Sequence, residues 1–432
     1  MTNKIDRTKS PLYNSLELSN ILPIETFKLD NKVEVGIIKG GSQEIVKIDW
    51  IFSAGMEQAG RTVLATATGN LMREGTTTKS SQEISEMLDN YGSYLSVATY
   101  HHNSIVTLIA LTKHLDKLLP LVEDMLSNPV FSQEEIDIYL NKKRQEYLVN
   151  LERVGYLTTM KFKEVAFGSN HIYGMSVTLD DYDKISREDI VKFHSDNYLK
   201  NRLNIVVAGQ PLDNTVELLN SHFGKNERDL LIKERVNSVD FDSSSDLDHF
   251  VLKADAMQTS IKIGRRIITN HHKDFTSLAV VNTILGGYFG SRLMTTVREE
   301  KGLTYGISSG LQSYLESGIW MISSEVAAVK QSEAIEAVFE EMRKMREELI
   351  SVEELEVVKN YMLGSMMRIF DGPFSTSDVY RNIKEGGLDL SYYQRLEDRI
   401  KSITPEEIKN ISEKYLKKDD FFVIISGSEN KN

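Results

Sequence analysis

Two pairs of matching segments, separated by nearly the same distance along the chain, indicate an internal duplication. The segment "FSQEEIDIYLN" at residues 131–141 resembles "ISVEELEVVKN" at residues 350–360, and both begin with the Ser-x-x-Glu pattern of a helix N-terminus. Residues 185–209 resemble residues 403–427, and each of these segments joins a capped helix to a β-rich run that ends in glycine. Both pairs are offset by roughly 220 residues in the same order, which predicts two tandem copies of one domain.

The elements within one copy define the fold class. In the first copy "IVKIDWIF", "YLSVATY" and "SIVTLIAL" have the composition of strands, whereas the leucines from Leu115 to Leu126 line one face of a helix. Long helices combined with a run of antiparallel strands are typical of an α+β fold. We therefore predict two tandem homologous domains, each a mainly antiparallel sheet with helices packed on one face.

The predicted domains are residues 1–224 and residues 250–432, joined by a charged, Ser/Asp-rich linker at residues 225–249. Within this linker the residues at alternate positions imitate the start of a calcium-binding loop; they are Asp240, Asp242, Ser244 and Asp246. The glycine of such a loop is absent, and Val251 stands where its final glutamate is needed. The linker interpretation is therefore favoured.

Composition excludes several classes of protein. The chain of 432 residues carries a formal net charge of −12, which argues against nucleic acid as a general partner. It contains no cysteine, so disulfide frameworks, thiolate zinc sites and cysteine catalysis are excluded. No apolar run has the length of a membrane span, and "MTNKIDRTKSPLYNSLELSN" has no apolar core of the signal-peptide type. We expect a cytoplasmic protein without a membrane or nucleic-acid partner.

The stretch "VLATATGNLMREGT" at residues 63–76 is a helix diluted by small and polar residues, followed by a Gly-Thr turn. A zinc helix needs two histidines on one face with a glutamate beside them. None of the nine histidines is arranged in this way, and we interpret them as surface or structural residues. The sequence therefore predicts no metal site in this chain.

A second cluster is "GGYFGSRLMTTVREEKGLTYGISSG" at residues 286–310. Its glycines match neither a P-loop nor a dinucleotide fingerprint, so tight packing at a helix start is favoured over phosphate binding by residues 286–291. Arg298 lies near the predicted helix end, Gly302 supplies the left-handed stop, and Tyr305 opens a strand. A helix–strand corner of this kind can direct a guanidinium and a phenol at one point, where both can donate to an oxyanion.

These segments resemble the pitrilysin/insulinase-type zinc peptidases, in the short form akin to subunits of mitochondrial processing peptidase. The resemblance covers nearly the whole chain and includes "FSAG", "REGT", "YGSYLS", "LSNPVFSQEEI", "HIYG" and "SRLMTTVREEKGLTYGISS". The last segment is the most specific, because the family carries an Arg and a Tyr seven residues apart there, and these match Arg298 and Tyr305. The resemblance implies two homologous domains that form one half of a clam shell closing over an extended peptide.

In active members of this family, an inverted H-x-x-E-H helix holds zinc and a general-base glutamate. Aligned on Gly75, the two histidine positions fall on Thr66 and Asn70 and the glutamate position on Gly69. Glu146 lies near the distance expected of the third ligand, although its surroundings match the family poorly. The resemblance therefore implies a degenerate zinc site in this chain, which by itself is expected to be inactive and to hold no cofactor.

The Arg/Tyr pair without the zinc helix implies a division of labour. We expect this chain to be one subunit of a heterodimeric peptidase, in which Arg298 and Tyr305 contact the carbonyl of a peptide substrate. A homologous partner containing H-x-x-E-H is expected to supply zinc and the general base. The alternative is a non-catalytic, peptide-binding or structural homologue that acts as a homodimer.

Overall fold

The computed structural model describes residues 21–229 and 247–428, and these form two halves, each built on one sheet. The first sheet has six strands in the spatial order β1-β2-β6-β3-β5-β4. The pair β2–β6 is parallel and the other neighbours are antiparallel. The strands of this sheet are β1 (Glu25–Lys28), β2 (Glu34–Lys39), β3 (Ile45–Phe52), β4 (Tyr94–Thr99), β5 (Ser104–Leu111) and β6 (Leu203–Gly209).

The second sheet repeats this topology with five strands in the order β7-β11-β8-β10-β9, and β7–β11 is its parallel pair. In each half the last strand lies between two early strands: β6 lies between β2 and β3, and β11 lies between β7 and β8. The prediction of two duplicated, mainly antiparallel sheets is therefore confirmed. Strand β7 begins inside the predicted linker, and residues 240–246, which imitate a calcium loop, lie outside the described residues. The strands are β7 (Asp248–Leu252), β8 (Thr259–Ile267), β9 (Thr304–Ser313), β10 (Gly318–Val326) and β11 (Phe422–Gly427).

Helices follow the strands in both halves. The first half contains α1 (Met56–Ala59), α2 (Thr62–Leu71), α3 (Ser81–Asn90), α4 (Leu115–Ser127), α5 (Gln133–Leu151), α6 (Val154–Phe167), α7 (Leu179–Asp183), α8 (Arg187–His194) and α9 (Thr215–Phe223). The second contains α10 (Phe275–Asn282), α11 (Gln331–Glu347), α12 (Val352–Ile369), α13 (Gly372–Glu385), α14 (Ser391–Ser402) and α15 (Pro405–Tyr415). Wider, π-type turns occupy Ser195–Leu199, Thr283–Gly287 and Met294–Glu300. Within the described ranges, no helix is both long and apolar enough to cross a membrane.

The duplicated helix starts are capped as their sequences predict. Ser132 and Ser351 each accept a hydrogen bond from the backbone N–H three residues later, at 3.3 and 3.1 Å. In the second copy the carboxylate of Glu354 does not complete the reciprocal box, because it accepts two hydrogen bonds from Arg292 at 2.8 and 2.9 Å. The repeated Ser-x-x-Glu pattern therefore marks the helix start, while the glutamate of the second copy serves a tertiary contact.

Each sheet carries helices of its own half on one face and one helix of the other half on the opposite face. Helix α6 of the first half packs on β8 and β11, where Phe162 lies 5.0 Å from Phe422 between ring centroids. Helix α13 of the second half packs on β2 and β6, and Phe374 and Tyr380 contact the buried outer face of that sheet. The one-face packing predicted from the sequence therefore holds within each half, and the exchange of α6 and α13 covers the second face.

Buried charges hold α13 against the first sheet. Lys47 and Asp49 project from β3 and are 7% and 0% exposed. The Lys47 ammonium lies 2.5 Å from the Asp378 carboxylate, and the Arg381 guanidinium donates to Asp49 at 3.1 Å. Thr107 completes the group by donating to Asp49 at 2.5 Å. The two cations and two carboxylates neutralise one another, which is the condition under which charges are tolerated in an interior.

Replacing Gly264 by alanine is expected to lower the free energy of unfolding by about 1–3 kcal/mol, because strand β8 and helix α6 have no room for a methyl group. A Cβ at this position would meet the backbone oxygen of Trp320 in β10 and would lie 2.5 Å from Cζ of Phe162 in α6. The control is Gly310→Ala in β9, where the added Cβ meets no atom within 4 Å. Urea denaturation checks both variants, and equal stability of the two would contradict the close packing of β10 and α6 around Gly264.

Candidate functional site

The degenerate metal helix is α2, and its polar side chains are bonded to the helix itself. Thr66 Oγ1 donates to the carbonyl oxygens of Thr62 and Val63, both at 3.0 Å. Asn70 Nδ2 donates to the carbonyl oxygen of Thr66 at 2.8 Å. A hydroxyl and an amide engaged in this way offer neither the imidazole nor the carboxylate donors that zinc prefers.

Gly69, which stands at the general-base position, is buried where helix α2 approaches strand β4. A Cβ at Gly69 would lie 3.0 Å from Tyr198 Oη, 3.1 Å from Thr99 Oγ1 and 3.1 Å from Cγ1 of Val97. These distances are tighter than ordinary van der Waals contact, so the close approach of the helix to the sheet depends on a residue without a side chain. A glutamate could not be accommodated at this position without displacing its neighbours.

The space beside Thr66 and Asn70 is occupied by Tyr139 of α5. Burial raises the pKa of Tyr139, while contacts of its hydroxyl with the Thr66 and Asn70 side chains act in the opposite direction. Further tyrosines continue this cluster, and burial raises the pKa of Tyr182 to about 12. The Tyr147 ring lies 6.1 Å from that of Tyr182 and 6.2 Å from that of Tyr156, between centroids. Aromatic rings thus fill the region next to the degenerate helix.

The remaining carboxylate candidate, Glu146 of α5, is paired with a lysine. It accepts a hydrogen bond from Lys143 at 2.7 Å, and its side chain is 44% exposed. In the part of the chain that the structure describes, no group of three or more histidine or carboxylate side chains is arranged to hold a metal ion. The residues at and around α2 therefore do not fit zinc.

Arg298 lies at the end of the helical turn Met294–Glu300. The turn is closed by Gly302 in the left-handed conformation at φ +58° and by a hydrogen bond from the Leu303 N–H to the Val297 carbonyl oxygen at 3.0 Å. The guanidinium carbon of Arg298 lies 4.9 Å from the ring centroid of Phe289. Phe289 is 67% exposed, so this ring supports the arginine without being part of the core.

Tyr305 projects from a β-bulge at the start of β9. Ile307 pairs with Ser324 and Thr304 with Val326, so β9 contains one more residue than β10 over this interval. The Thr304 hydroxyl stabilises the bulge: it accepts from the Gly306 N–H at 3.1 Å and donates to the Glu325 carbonyl oxygen at 2.7 Å. A bulge redirects the side chains of its strand, and the Tyr305 side chain is 92% exposed.

Arg298 and Tyr305 line one cavity of about 1360 Å³ between the two halves. Residues 152–156, where α5 passes into α6, form one wall, and the loop after β7, the end of β10 and Lys330 form the remainder. We call this cavity the chamber. Lys253 connects its walls, because its ammonium lies 2.6 Å from Glu152 of the first half and 3.1 Å from Asp255. No residue of α2 belongs to the described lining, so the degenerate helix and the Arg/Tyr pair occupy separate places within one chain.

The glycines that precede this site serve packing, as predicted from their spacing. A Cβ at Gly286 would lie 2.6 Å from Cβ of Ser309 and 3.0 Å from Cδ1 of Leu293. Gly286 therefore allows the π-type turn Thr283–Gly287 to lie directly on strand β9.

Two aromatic residues were not predicted from the sequence: Phe289 next to Arg298, and Tyr139 next to the degenerate helix. Phe289 stands in "GYFG", an aromatic between glycines outside any apolar period. Tyr139 stands where the second copy has the fully buried Val358, so the duplicated segments differ at this position. A comparison of the two copies could have found Tyr139.

Three of the histidines interpreted from the sequence as surface or structural residues meet at the junction of the halves. His102 contacts Glu57 through Nδ1 at 2.7 Å and the Tyr173 hydroxyl through Nε2 at 2.8 Å. The Tyr173 ring stacks on Tyr314 of the second half with centroids 4.3 Å apart. His101 and His171 lie beside these rings. Burial, reinforced by the nearby His102, Lys163 and His171, lowers the pKa of His101 to about 4.

Known proteins share this architecture. The family model for insulinase (peptidase family M16) matches residues 64–168, and that for the peptidase M16 inactive domain matches residues 184–362. The solved structure of a peptidase M16 inactive domain from Pseudomonas fluorescens superimposes with a TM-score of 0.81 at 20% identity, covering 94% of this chain and 98% of that chain.

Two curated relatives extend the match along the sequence. The uncharacterized zinc protease YmxG of Bacillus subtilis is 24% identical over 362 residues, which covers 83% of this chain and 86% of that protein. The non-peptidase homolog YmxG of Helicobacter pylori is 22% identical over 379 residues, or 85% of each protein.

The fold and the sequence matches define a two-domain, peptidase-like protein. The chain belongs to the insulinase (M16) peptidase family, and the two family models together match more than half of it. It is a member that lacks the H-x-x-E-H motif.

Replacing Phe289 by leucine is expected to release the Arg298 side chain, because the cation–π contact at an exposed site contributes only about 0.5–1 kcal/mol and has no aliphatic substitute. The ring-current shift of the Arg298 side-chain resonances, observed by NMR with arginine-selective labelling, is expected to disappear. Phe289→Tyr is the matched control and retains the shift. An unchanged Arg298 resonance in the leucine variant would show that the ring does not hold the guanidinium.

The stability of the chain is expected to fall as the pH decreases below about 6.5, the unfolded-state value for histidine. Because the folded-state pKa of His101 is lowered to about 4, the unfolded chain binds the proton more tightly between these values. This difference corresponds to about 2 kcal/mol at pH 5. His101→Gln should remove that part of the pH dependence in urea titrations, and His114→Gln should not. A slope unchanged by His101→Gln refutes the assignment.

Proposed function

We propose that the chain is the zinc-free subunit of a heterodimeric peptidase that cleaves extended peptides. In this proposal Arg298 and Tyr305 contact the carbonyl oxygen of the substrate, while a homologous partner containing H-x-x-E-H supplies zinc and the general base. The observation that carries the proposal is that both side chains open into the same chamber. Tyr305 is 92% exposed there, so it contributes little to the fold itself.

The chemistry of the pair suits a carbonyl that gains negative charge. A guanidinium remains protonated and presents several N–H donors, and a phenol adds an O–H donor. Donors directed at a developing oxyanion stabilise the transition state more than the substrate, and removal of one such donor costs roughly 3 kcal/mol in related sites. Arg298 lies against the Phe289 ring, and Tyr305 is presented by the bulge in β9.

The partner is inferred from what this chain does not offer. Thr66, Gly69 and Asn70 provide neither metal ligands nor a base, and Tyr139 fills the adjacent space. A peptidase that uses Arg298 and Tyr305 therefore needs a second chain to activate water. On this proposal the isolated subunit is inactive, and hydrolysis requires the mixture of both subunits.

A second candidate is a homodimeric, peptide-binding or structural homologue without hydrolysis. It is supported by the relative named as a non-peptidase homolog and by the family model named as an inactive domain. In that case Arg298 and Tyr305 would bind a peptide carbonyl without chemistry. Peptide cleavage by the chain mixed with a zinc-bearing homologue, and by neither alone, separates the heterodimeric peptidase from this alternative.

Arg298→Ala is expected to reduce kcat of the reconstituted heterodimer about 10²–10³-fold, because an oxyanion donor is lost while the partner's zinc remains. Tyr305→Phe should reduce kcat less, since the guanidinium still donates. The measurement is turnover of a quenched-fluorescence peptide with the zinc content of each subunit determined in parallel. The control is Arg343→Ala, on the exposed side of α11, which should leave turnover unchanged. Unchanged turnover for Arg298→Ala, or stoichiometric zinc in this chain alone, would refute the proposal.

A further inference from the structure

The bulge at the start of β9 determines the face of the second sheet on which Tyr305 lies. Continued without the bulge, the register that pairs Ile307 with Ser324 would place Tyr305 opposite Val326. Ile307 and Val326 are 5% and 1% exposed, so this position belongs to the buried face. In the structure Thr304 takes the place opposite Val326, and Tyr305 is 92% exposed. The exposure of the phenol therefore depends on the bulge and not on the period of the strand.

The counterpart of β9 in the first half has no bulge. In the order of the sheet this counterpart is β4, which lies at the edge beside β5 as β9 lies at the edge beside β10. Strand β4 pairs with β5 in one unbroken register, from Tyr94 opposite Ile109 to Thr99 opposite Ser104. The duplicated fold therefore does not require a bulge at this strand. Its presence in the second copy coincides with the tyrosine that lines the chamber.

Two hydroxyl groups stabilise the bulge. Thr304 Oγ1 accepts from the Gly306 N–H at 3.1 Å and donates to the Glu325 carbonyl oxygen at 2.7 Å, across the interval in which the register shifts. The Ser324 hydroxyl donates to Thr304 Oγ1 at 2.9 Å and lies 3.0 Å from the Gly306 carbonyl oxygen. Ser324 is 8% exposed, so its hydroxyl depends on these partners for its hydrogen bonds. We call Thr304 and Ser324 the hydroxyl pair.

We propose that Thr304 is a positioning residue, whose hydroxyl acts through the bulge to hold the Tyr305 phenol in the chamber. The inference rests on the proposed function for the statement that this phenol donates to a substrate carbonyl. Because the Tyr305 side chain is 92% exposed, it has little packing of its own, and the backbone at the bulge sets its direction. A donor that is displaced by about 1 Å can lose as much as 10²-fold in rate, so the direction of the phenol matters for catalysis.

The competing role of the hydroxyl pair is to stabilise the edge of the sheet without any effect on Tyr305. Loss of the Thr304 hydroxyl lowers the stability of the chain in either case, so stability does not separate the two roles. Two other quantities separate them. A positioning residue changes the surroundings of the Tyr305 ring, and its effect on kcat disappears once the phenol hydroxyl has been removed.

The first measurement is fluorine NMR of the complete chain alone, labelled with fluorotyrosine, in which loss of one resonance in Tyr305→Phe assigns Tyr305. Thr304→Val keeps the shape of the side chain and removes the hydroxyl, and it should shift or split the Tyr305 resonance. Thr304→Ser retains the hydroxyl and should restore the resonance of the natural chain. The matched control is Ser308→Ala, at an exposed position of the same strand, which should leave the resonance unchanged.

The second measurement is turnover by the reconstituted heterodimer. Thr304→Val is expected to reduce kcat about 10-fold with little change in KM, because the misplaced donor acts mainly in the transition state. The double variant Thr304→Val/Tyr305→Phe should have the kcat of Tyr305→Phe, since no phenol hydroxyl is left to position. Ser324→Ala removes the other hydroxyl and serves in both measurements if Thr304→Val does not fold. Losses in kcat that multiply in the double variant would overturn the proposal.

The outcome is separable from that of the proposed function. If Tyr305→Phe leaves kcat unchanged, the catalytic role of the phenol fails, whereas a Tyr305 resonance that depends on the Thr304 hydroxyl still supports the positioning. If Tyr305→Phe lowers kcat but Thr304→Val and Ser324→Ala change neither the resonance nor the turnover, the positioning is refuted and the catalytic role of the phenol stands.

Discussion

The exchange of one helix between the halves is the contact on which the rest of the structure depends. Helix α6 covers the outer face of the second sheet and α13 covers that of the first, so neither sheet is buried on both faces without the other half. Close packing is possible because glycines face the incoming rings: Gly264 lies under Phe162, and Gly36 lies under Tyr380. The same exchange builds the chamber, since the start of α6 passes directly beside β10, where Gly155 approaches Glu325. Stability and the candidate site thus share one set of contacts.

The degenerate helix is a repacked element of the core. The side chains of Thr66 and Asn70 bond to their own helix, Gly69 lets β4 approach, and Tyr139 fills the neighbouring space. The ligands of a metal site are polar and charged groups that repel one another when the ion is absent. Without the ion, each of these groups needs another partner. Here hydroxyl and aromatic groups take that place, and the tyrosine cluster reaches from α2 to Tyr156 in the chamber wall. The first half retains its shape without the chemistry of a metal.

Local signals in the sequence predicted the duplication, the order of the elements, the helix starts at Ser132 and Ser351 and the left-handed end at Gly302, because caps and periodicity act over a few residues. The exchange of helices could not be predicted in this way. Lys47 and Asp49 alternate with apolar residues on β3, a pattern typical of a solvent-facing side, and their partners on α13 lie more than 300 residues away in the sequence. The cluster of His101, His102 and His171 could not be predicted for the same reason, because it depends on contacts with Tyr173 and Tyr314, which lie far from His102 in the sequence. The exposure of Tyr305 depends on a bulge that is defined by pairing with β10 and not by its own strand.

The Arg/Tyr corner differs from the rest of the surface because contacts within the fold use the side chains of Arg298 and Tyr305 only in part. Among the residues that the structure describes, the charged partner of Arg298 is Glu299 at a long 3.6 Å, and its stacking partner Phe289 is itself exposed. By contrast, Arg292 in the same segment donates two hydrogen bonds to Glu354 and so connects this segment to α12. Met257 and Tyr305, the two most exposed large apolar side chains within residues 21–229 and 247–428, line the same chamber as Arg298. On the proposed function, a peptide carbonyl that enters the chamber meets Arg298 and Tyr305 in the same cavity.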